Sequence, residues 1–248
     1  MFCYTKTGGI DMKTQAIVLA GGRGRRMGGS TPKQYLMLND KPVLYYSLRA
    51  FEDSFIDEVI LVCGEGEEEY CRKEIVIKYG FSKVVKIVPG GKERFDSVYN
   101  GLEASNGCDY VYIHDGARPL VGQYILERLQ HYVEKYRAAV AGAKAKDTIK
   151  LEDGDGFIES SPDRNKVWLM QTPQVFEYGL IKSAYEKLIQ DRDRLADAGV
   201  NVTDDTMVAK MYGDVDAKLV ENKECNLKIT TPEDMIIAEA LMKARETV

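Results

Sequence analysis

Short apolar runs recur along the chain with helix-period segments between them, and no other feature narrows the possible folds so far. The runs lie at 15–20 (QAIVLA), 58–63, 83–88, 109–114 and 138–143, and the segments at 43–51, 94–104 and 122–136 space their apolar residues as a helix does. A strand that is apolar at every position has both faces covered, the pattern of a parallel sheet enclosed by helices. The alternation predicts an α/β fold with a doubly wound, mostly parallel sheet. A chain of 248 residues, 44% of them hydrophobic, can enclose one such core. We expect a single domain over 14–248, preceded by a disordered tail over 1–13 that contains Gly8-Gly9 and a second methionine, Met12, and carries no function.

The rhythm breaks at 144–171. This stretch is rich in polar and turn residues (DTIKLEDGDGFIESSPDR) and ends near an isolated Trp168. Two strand-like pieces, 147–151 and 157–159, flank an Asp-Gly-Asp-Gly turn, which predicts a β-hairpin arm protruding from the sheet. Helices near 178–191 and 204–211 follow, then strands near 217–221 and 227–229. A final helix opens on Thr231 as N-cap, with Pro232 at its first position and Asp234 three residues past the cap.

The net charge of −5 argues against a nucleic-acid coat or an anionic-membrane binder, both of which rely on excess Lys and Arg. An anionic ligand must instead meet locally clustered cations. The five cysteines form no C-x-x-C pair and only His114 and His131 could assist them, so a zinc site is not expected. No apolar run approaches the length of a membrane helix, and the first residues lack the apolar core of a signal peptide. A cytoplasmic protein is the expectation.

The segment Gly21-Gly22-Arg23-Gly24-Arg25-Arg26-Met27-Gly28-Gly29 follows the first predicted strand directly, where open α/β sheets place their phosphate sites. Glycines let backbone N–H groups approach a polyphosphate, and arginines add charge-assisted bonds to its oxygens. A dinucleotide fingerprint beginning at Gly22 would need glycine where Met27 stands, and a P-loop needs Gly-Lys-Ser/Thr, whereas Gly91-Lys92 is followed by Glu93. Lys33, in Pro32-Lys33-Gln34, brings a further cation. Read alone, the loop supports a phosphate cradle and nothing finer.

Other residues are ambiguous by themselves. Asp115 ends the run YVYIHD at the same sheet edge, where a carboxylate can help hold phosphate-bound Mg²⁺, although Asp115-Gly116 is equally a simple turn. Arg118 lies just beyond. Asp96 and Ser97, after Gly90-Gly91-Lys92-Glu93-Arg94, suit a ligand-reading helix start or plain capping. Arg164 on the arm and Lys228 before the last helix read as solvated cations, Thr203-Asp204-Asp205 as a helix cap, and His114 as a packed strand residue.

Taken together, LAGGRGRRM with PKQ, GGKERFDSV, HDGARP, KDTIK, DRNKVW with QTPQVF, VTDD and NLKITTPEDM resemble, in order and spacing over about 15–240, the 2-C-methyl-D-erythritol 4-phosphate cytidylyltransferase family. The resemblance implies a Rossmann-like nucleotidyltransferase in which methylerythritol phosphate attacks the α-phosphorus of CTP, with Mg²⁺ as cofactor. It implies catalytic roles for Arg26 and Lys33 at the α-phosphorus and pyrophosphate, and for Arg164 and Lys228 in placing the attacking phosphate. Nucleotide contacts fall to Ala20, Gly21, Gly22, Gly24, Gly91, Ser97, Asp115 and Ala117, with Asp115 also near the metal. Arg118, Thr148, Thr172 and Thr203 complete the acceptor pocket. It further implies a homodimer whose arms, about 144–171, exchange so that Arg164 and Thr148 reach the partner's site.

Two departures stand out: Gly21-Gly22 where many members have Ala-Gly, and Lys92 where many have an acidic residue. A ribitol 5-phosphate cytidylyltransferase is the nearest rival, but those relatives tend to carry HDSVRP where this chain has HDGARP. An NAD-binding dehydrogenase and a non-catalytic nucleotide-binding protein are the rivals from other classes.

Overall fold

The fold is known from a computed structural model that describes residues 12–22, 24, 27, 28 and 31–246. In chain order the strands are β1 (Thr14–Ala20), β2 (Met37–Leu38), β3 (Lys41–Pro42), β4 (Glu58–Cys63), β5 (Val84–Pro89), β6 (Tyr110–Asp115), β7 (Ala138–Lys144), β8 (Leu151–Glu152), β9 (Ile158–Ser160), β10 (Trp168–Glu177) and β11 (Lys218–Glu221). The helices are α1 (Val43–Glu52), α2 (Glu68–Tyr70, continuing as a π-helical stretch), α3 (Arg94–Ala104), α4 (Gln123–Tyr136), α5 (Tyr178–Gln190), α6 (Arg192–Asp197), α7 (Asp205–Gly213) and α8 (Pro232–Glu246).

The main sheet runs β5-β4-β1-β6-β10-β7-β11, parallel except for β10, which is antiparallel to both its neighbours. Successive residues of β1 feed opposite faces, as the two-residue period of a strand requires. Ala16, Val18 and Ala20 join Leu44, Leu48 and Phe51 of α1 and Ile125, Leu129 and Val133 of α4. Ile17 joins Val98 and Leu102 of α3 and Ile181 and Tyr185 of α5. Both faces are therefore covered, which is why the run is apolar throughout. From β1 the chain moves outward through β4 to β5 and then returns to the other side of β1 as β6. That reversal opens a crevice at the carboxyl ends of β1 and β6.

Three features depart from the expected pattern. Residues 227–229 form no strand; Ile229 instead donates its N–H to Ala117 O at 2.8 Å, stitching the segment to the β6 edge. The ten-residue β10 is not legible as a strand because Pro173 sits inside it, and proline cannot donate to a ladder. The register against β7 shifts between Met170 and Gln174, a bulge that accommodates it. Lys13, at the end of the expected tail, donates its N–H to Asp109 Oδ2 at 2.7 Å, while residues 1–11 lie outside the described residues. The hairpin arm is present as β8 paired antiparallel with β9, both fully exposed, with Gly154 at φ +96° and Gly156 at φ +90° in its turn.

Candidate active site

A cleft of about 990 Å³ opens where β1, β4, β5 and β6 end, lined among others by Gly21, Gly22, Gly24, Lys33, Gly91, Lys92, Arg94, Ser97, Asp115, Ala117 and Lys228. Loop geometry explains the glycines. Gly24 adopts φ +60°, and a Cβ there would stand 3.0–3.2 Å from the Lys33 stem, so only glycine lets that lysine lie against the loop. A Cβ on Gly91 would fall 2.2 Å from Asp96 Cβ. This closeness lets Gly91 N–H donate to Ser97 Oγ at 3.0 Å while Asp96 closes a capping box with Glu93 at the start of α3.

Lys33 stands on a one-turn 3-10 helix whose next two side chains anchor it. Gln34 Nε2 donates to Ala20 O at 2.5 Å, and Tyr35 Oη donates to Glu67 Oε2 at 2.7 Å. Glu67 Oε2 also accepts from Gly64 N–H at 3.1 Å, tying the β4 loop to the same unit. Lys33 Nζ itself donates to Ile229 O at 2.7 Å. Arg26, together with Arg23 and Arg25, lies outside the described residues.

Opposite Lys33, Asp115 gathers cations from three segments. Its Oδ2 accepts from Lys228 Nζ at 2.7 Å and lies 3.8 Å from Arg118 Nε, and its Oδ1 lies 3.4 Å from Arg94 Nε. Burial alone would raise the Asp115 pKa, but Arg94, Lys228 and Arg118 outweigh it and hold the carboxyl below its ordinary range. Arg118 Nη1 donates to Asn226 O at 2.7 Å, so it too is braced by the segment before α8.

Beneath Asp115 lies a small polar chain that fixes its backbone. Asp115 N–H donates to Thr172 Oγ1 at 3.0 Å, and Thr172 Oγ1 lies 3.1 Å from His114 Nδ1. His114 Nε2 lies 3.3 Å from Arg118 O. A carbonyl only accepts, so Nε2 carries the proton; Nδ1 then accepts from the Thr172 hydroxyl. Burial pushes the His114 pKa down to about 4, consistent with a neutral ring.

The fold thus sets Arg94, Arg118 and Lys228 around the ionised Asp115 carboxylate, beside a glycine loop at the phosphate-binding position of an α/β sheet. A family model described as IspD: 2-C-methyl-D-erythritol 4-phosphate cytidylyltransferase matches residues 14–244. The chain belongs to this family. Curated members include that of Lachnospira eligens, 50% identical over 229 residues (92% of this chain, 98% of that protein), and that of Lachnoclostridium phytofermentans, 45% identical over 234 residues (94% and 98%). The crystal structure of 4-diphosphocytidyl-2C-methyl-D-erythritol synthase from Anaerococcus prevotii shares the fold with a TM-score of 0.81 at 30% identity, covering 94% of this chain and 96% of that one. The Francisella tularensis cytidylyltransferase follows at TM-score 0.74 and 27% identity, covering 92% and 99%. As a member of this cytidylyltransferase family, the chain is a nucleotidyltransferase.

Of the residues expected from the sequence, Lys33, Gly21, Gly22, Gly24, Gly91, Ser97, Asp115, Ala117 and Lys228 line this one cleft. Ala20 O accepts from Gln34 in its wall, and Arg118 Nε lies 3.8 Å from Asp115 Oδ2. Thr172 is 4% exposed and its hydroxyl is shared between Asp115 and His114. Arg164 and Thr148 stand exposed on the arm, Arg164 Nη1 donating to Lys146 O at 3.0 Å, and Thr203 is exposed before α7. Arg94, Gln34 and Asp205 were not singled out by sequence. Gln34 offered only adjacency to Lys33 as a signal, and Asp205, paired with Arg94, reads as the second residue of a cap.

Proposed function

We propose that the chain joins CTP and 2-C-methyl-D-erythritol 4-phosphate, giving CDP-methylerythritol and pyrophosphate. The observation that carries this reading is the juxtaposition of Lys33, the glycine loop and the Asp115–Lys228 pair in one cleft of a chain belonging to this family. A phosphate oxygen of the acceptor attacks the α-phosphorus of CTP, and the bond from the α-phosphorus to the bridging oxygen of the β-phosphate breaks. Attacker, centre and leaving group are all anionic, so fixed cations are the main catalytic requirement. Lys33 and Arg26 stabilise the α-phosphorus and the departing pyrophosphate. The loop from Ala20 to Gly24 holds the triphosphate, Gly91 and Ser97 the base, and Asp115 and Ala117 the ribose. Lys228 and Arg118, with Thr172 and Thr203, hold the acceptor, a proximity effect.

Mg²⁺ fits this site as a phosphate-borne ion. Among the described residues no group of three or more His, Cys, Asp or Glu stands where it could hold a metal, yet Mg²⁺ needs only one or two protein carboxylates beside phosphate and water oxygens. Asp115, ionised at the cleft wall, supplies one. Bound there, the ion would add positive charge to the phosphates, while Asp115 orients Lys228.

The arm supports a homodimer. Leu151, Phe157, Ile158 and Leu169 are each about half exposed or more, an apolar surface that a second copy would cover, carrying Arg164 and Thr148 to the partner's cleft. Among the described residues no helix is long and apolar enough to cross a membrane, and Cys63, Cys71, Cys108 and Cys225 are free thiols, which suits a cytoplasmic enzyme.

The test is pyrophosphate release with CTP, Mg²⁺ and each phosphopolyol in turn. Faster turnover of ribitol 5-phosphate than of methylerythritol phosphate overturns the acceptor assignment. Lys33→Ala should lower kcat by about 10²–10³. Mixed Arg164→Ala and Lys33→Ala subunits should regain activity; verified heterodimers that stay inactive refute arm exchange.

A further inference from the structure

Arg94 stands between the cleft and the protein interior. Its Nη1 and Nη2 donate side by side to Asp205 Oδ1 and Oδ2, both at 2.8 Å. Its Nε faces Asp115 Oδ1 at 3.4 Å, a long contact set by the direction of the fork. The Asp205 side chain has no exposed surface. Tyr185 Oη donates to Asp205 Oδ1 at 2.5 Å, and Asp205 N–H donates to Gln174 Oε1 at 3.0 Å. Gln174 Nε2 in turn donates to Asp204 Oδ2 at 3.1 Å. Tyr185 of α5 thus bonds the Asp205 carboxylate, Gln174 of β10 fixes the backbone of the same residue, and that carboxylate grips one guanidinium.

A guanidinium is planar, so two parallel bonds at one edge fix the direction of its Nε–H. With that direction set, Arg94 engages only Oδ1 of Asp115 and leaves Oδ2 to Lys228 and the cleft. Freed from Asp205, the same guanidinium could turn its stronger two-donor edge onto Asp115 and occupy both oxygens. Lys228, the ribose and Mg²⁺ would then lose their acceptor. An ion pair that merely stitched α7 to α3 would not require the Asp115 contact.

We propose that Arg94 and Asp205 are positioning residues: the buried carboxylate aims the guanidinium so that Asp115 presents Oδ2, and not both oxygens, to the nucleotide side of the cleft. The proposal rests on the reading of Asp115 as a nucleotide-binding residue.

The experiment is a double-mutant cycle with Asp205→Asn and Asp115→Asn, measuring the Kd of CTP with Mg²⁺ by calorimetry, kcat and KM for CTP, and thermal unfolding. Asp205→Asn keeps the shape and an acceptor oxygen for Tyr185 but removes the charge that holds the fork. It should weaken CTP binding and raise the KM for CTP about tenfold, the scale of one charge-assisted bond. Added to Asp115→Asn, the same change should do nothing further. Arg94→Lys, which keeps the charge and loses the fork, should match Asp205→Asn and serves in its place should that variant not fold. Wild-type CTP affinity in either variant, or equal losses with and without Asp115, overturns the proposal. Wild-type protein that neither binds CTP nor releases pyrophosphate overturns instead the functional reading beneath it.

Discussion

Two glycines in the loop after β1 separate the cost of a backbone conformation from the cost of moving Lys33. Gly24 and Gly28 adopt φ +60° and +71°, so alanine at either should cost about 1–2 kcal/mol of stability from the left-handed backbone alone. Their surroundings differ. Among the described residues, a Cβ at Gly28 meets nothing within 4 Å, whereas one at Gly24 meets Lys33 Cγ, Cβ and Cδ at 3.0, 3.1 and 3.2 Å. Carbon atoms prefer about 3.5–4.0 Å, so the Lys33 stem must retreat by roughly half an ångström, and its Nζ leaves Ile229 O. A misplacement of about 1 Å in a catalytic group can cost ~10² in rate, and half of that distance sets an expectation of about 10–100-fold in kcat. Urea unfolding should therefore show two similar losses of stability, and pyrophosphate release should show one large loss of kcat, in Gly24→Ala only. Equal turnover in the two variants, at comparable stability, would refute the view that Gly24 exists to seat Lys33.

Three further outcomes are expected. His114 has a folded pKa of about 4 against 6.5 when unfolded, so the unfolded chain binds its proton first; stability should be complete above pH ~6.5 and fall by ~3 kcal/mol as pH drops toward 4. Urea melts of His114→Gln across that window should show a flatter slope, and an unchanged slope counts against burial of a neutral ring; the Asp115 contribution, with its depressed pKa, is lost only at lower pH. Thr172→Val should cost about 1–3 kcal/mol in urea melts by stranding Asp115 N–H, whereas a raised KM for the acceptor at unchanged stability would mark Thr172 as a substrate contact only. Gly91→Ala places its Cβ 2.2 Å from Asp96 Cβ and should weaken CTP binding at least about tenfold by calorimetry through loss of the bond to Ser97; wild-type affinity in that variant counts against the role of this bond.

Much of the architecture was readable in advance because β1, β4 and β6 bury both faces, and a run such as QAIVLA has little use elsewhere. The strand β10 was hidden by Pro173 and by Leu169 and Met170, which are apolar yet exposed, so no period survives along it. Residues 227–229 misled in the opposite way: Leu227 and Ile229 are apolar because they pack under α8, not because they pair in a sheet. At the site, glycines announced themselves since their conformations exclude other residues. Gln34 and Asp205 did not, because their roles depend on Ala20 O and on the Arg94 guanidinium, partners 14 and 111 residues away. Long-range pairing of single polar groups leaves no local pattern.

The bulge in β10 sets where this chain can gain or lose residues. The strand that leaves the arm also carries Thr172 to Asp115 N, and a slip of one residue in it would turn every side chain to the opposite face of the sheet. Insertions and deletions should then accumulate at the β8–β9 turn, where the backbone is exposed on both sides, and be excluded between Trp168 and Gln174. A change of length at the tip leaves the register of β10 and the Thr172 bond to Asp115 intact, whereas one at the root breaks both.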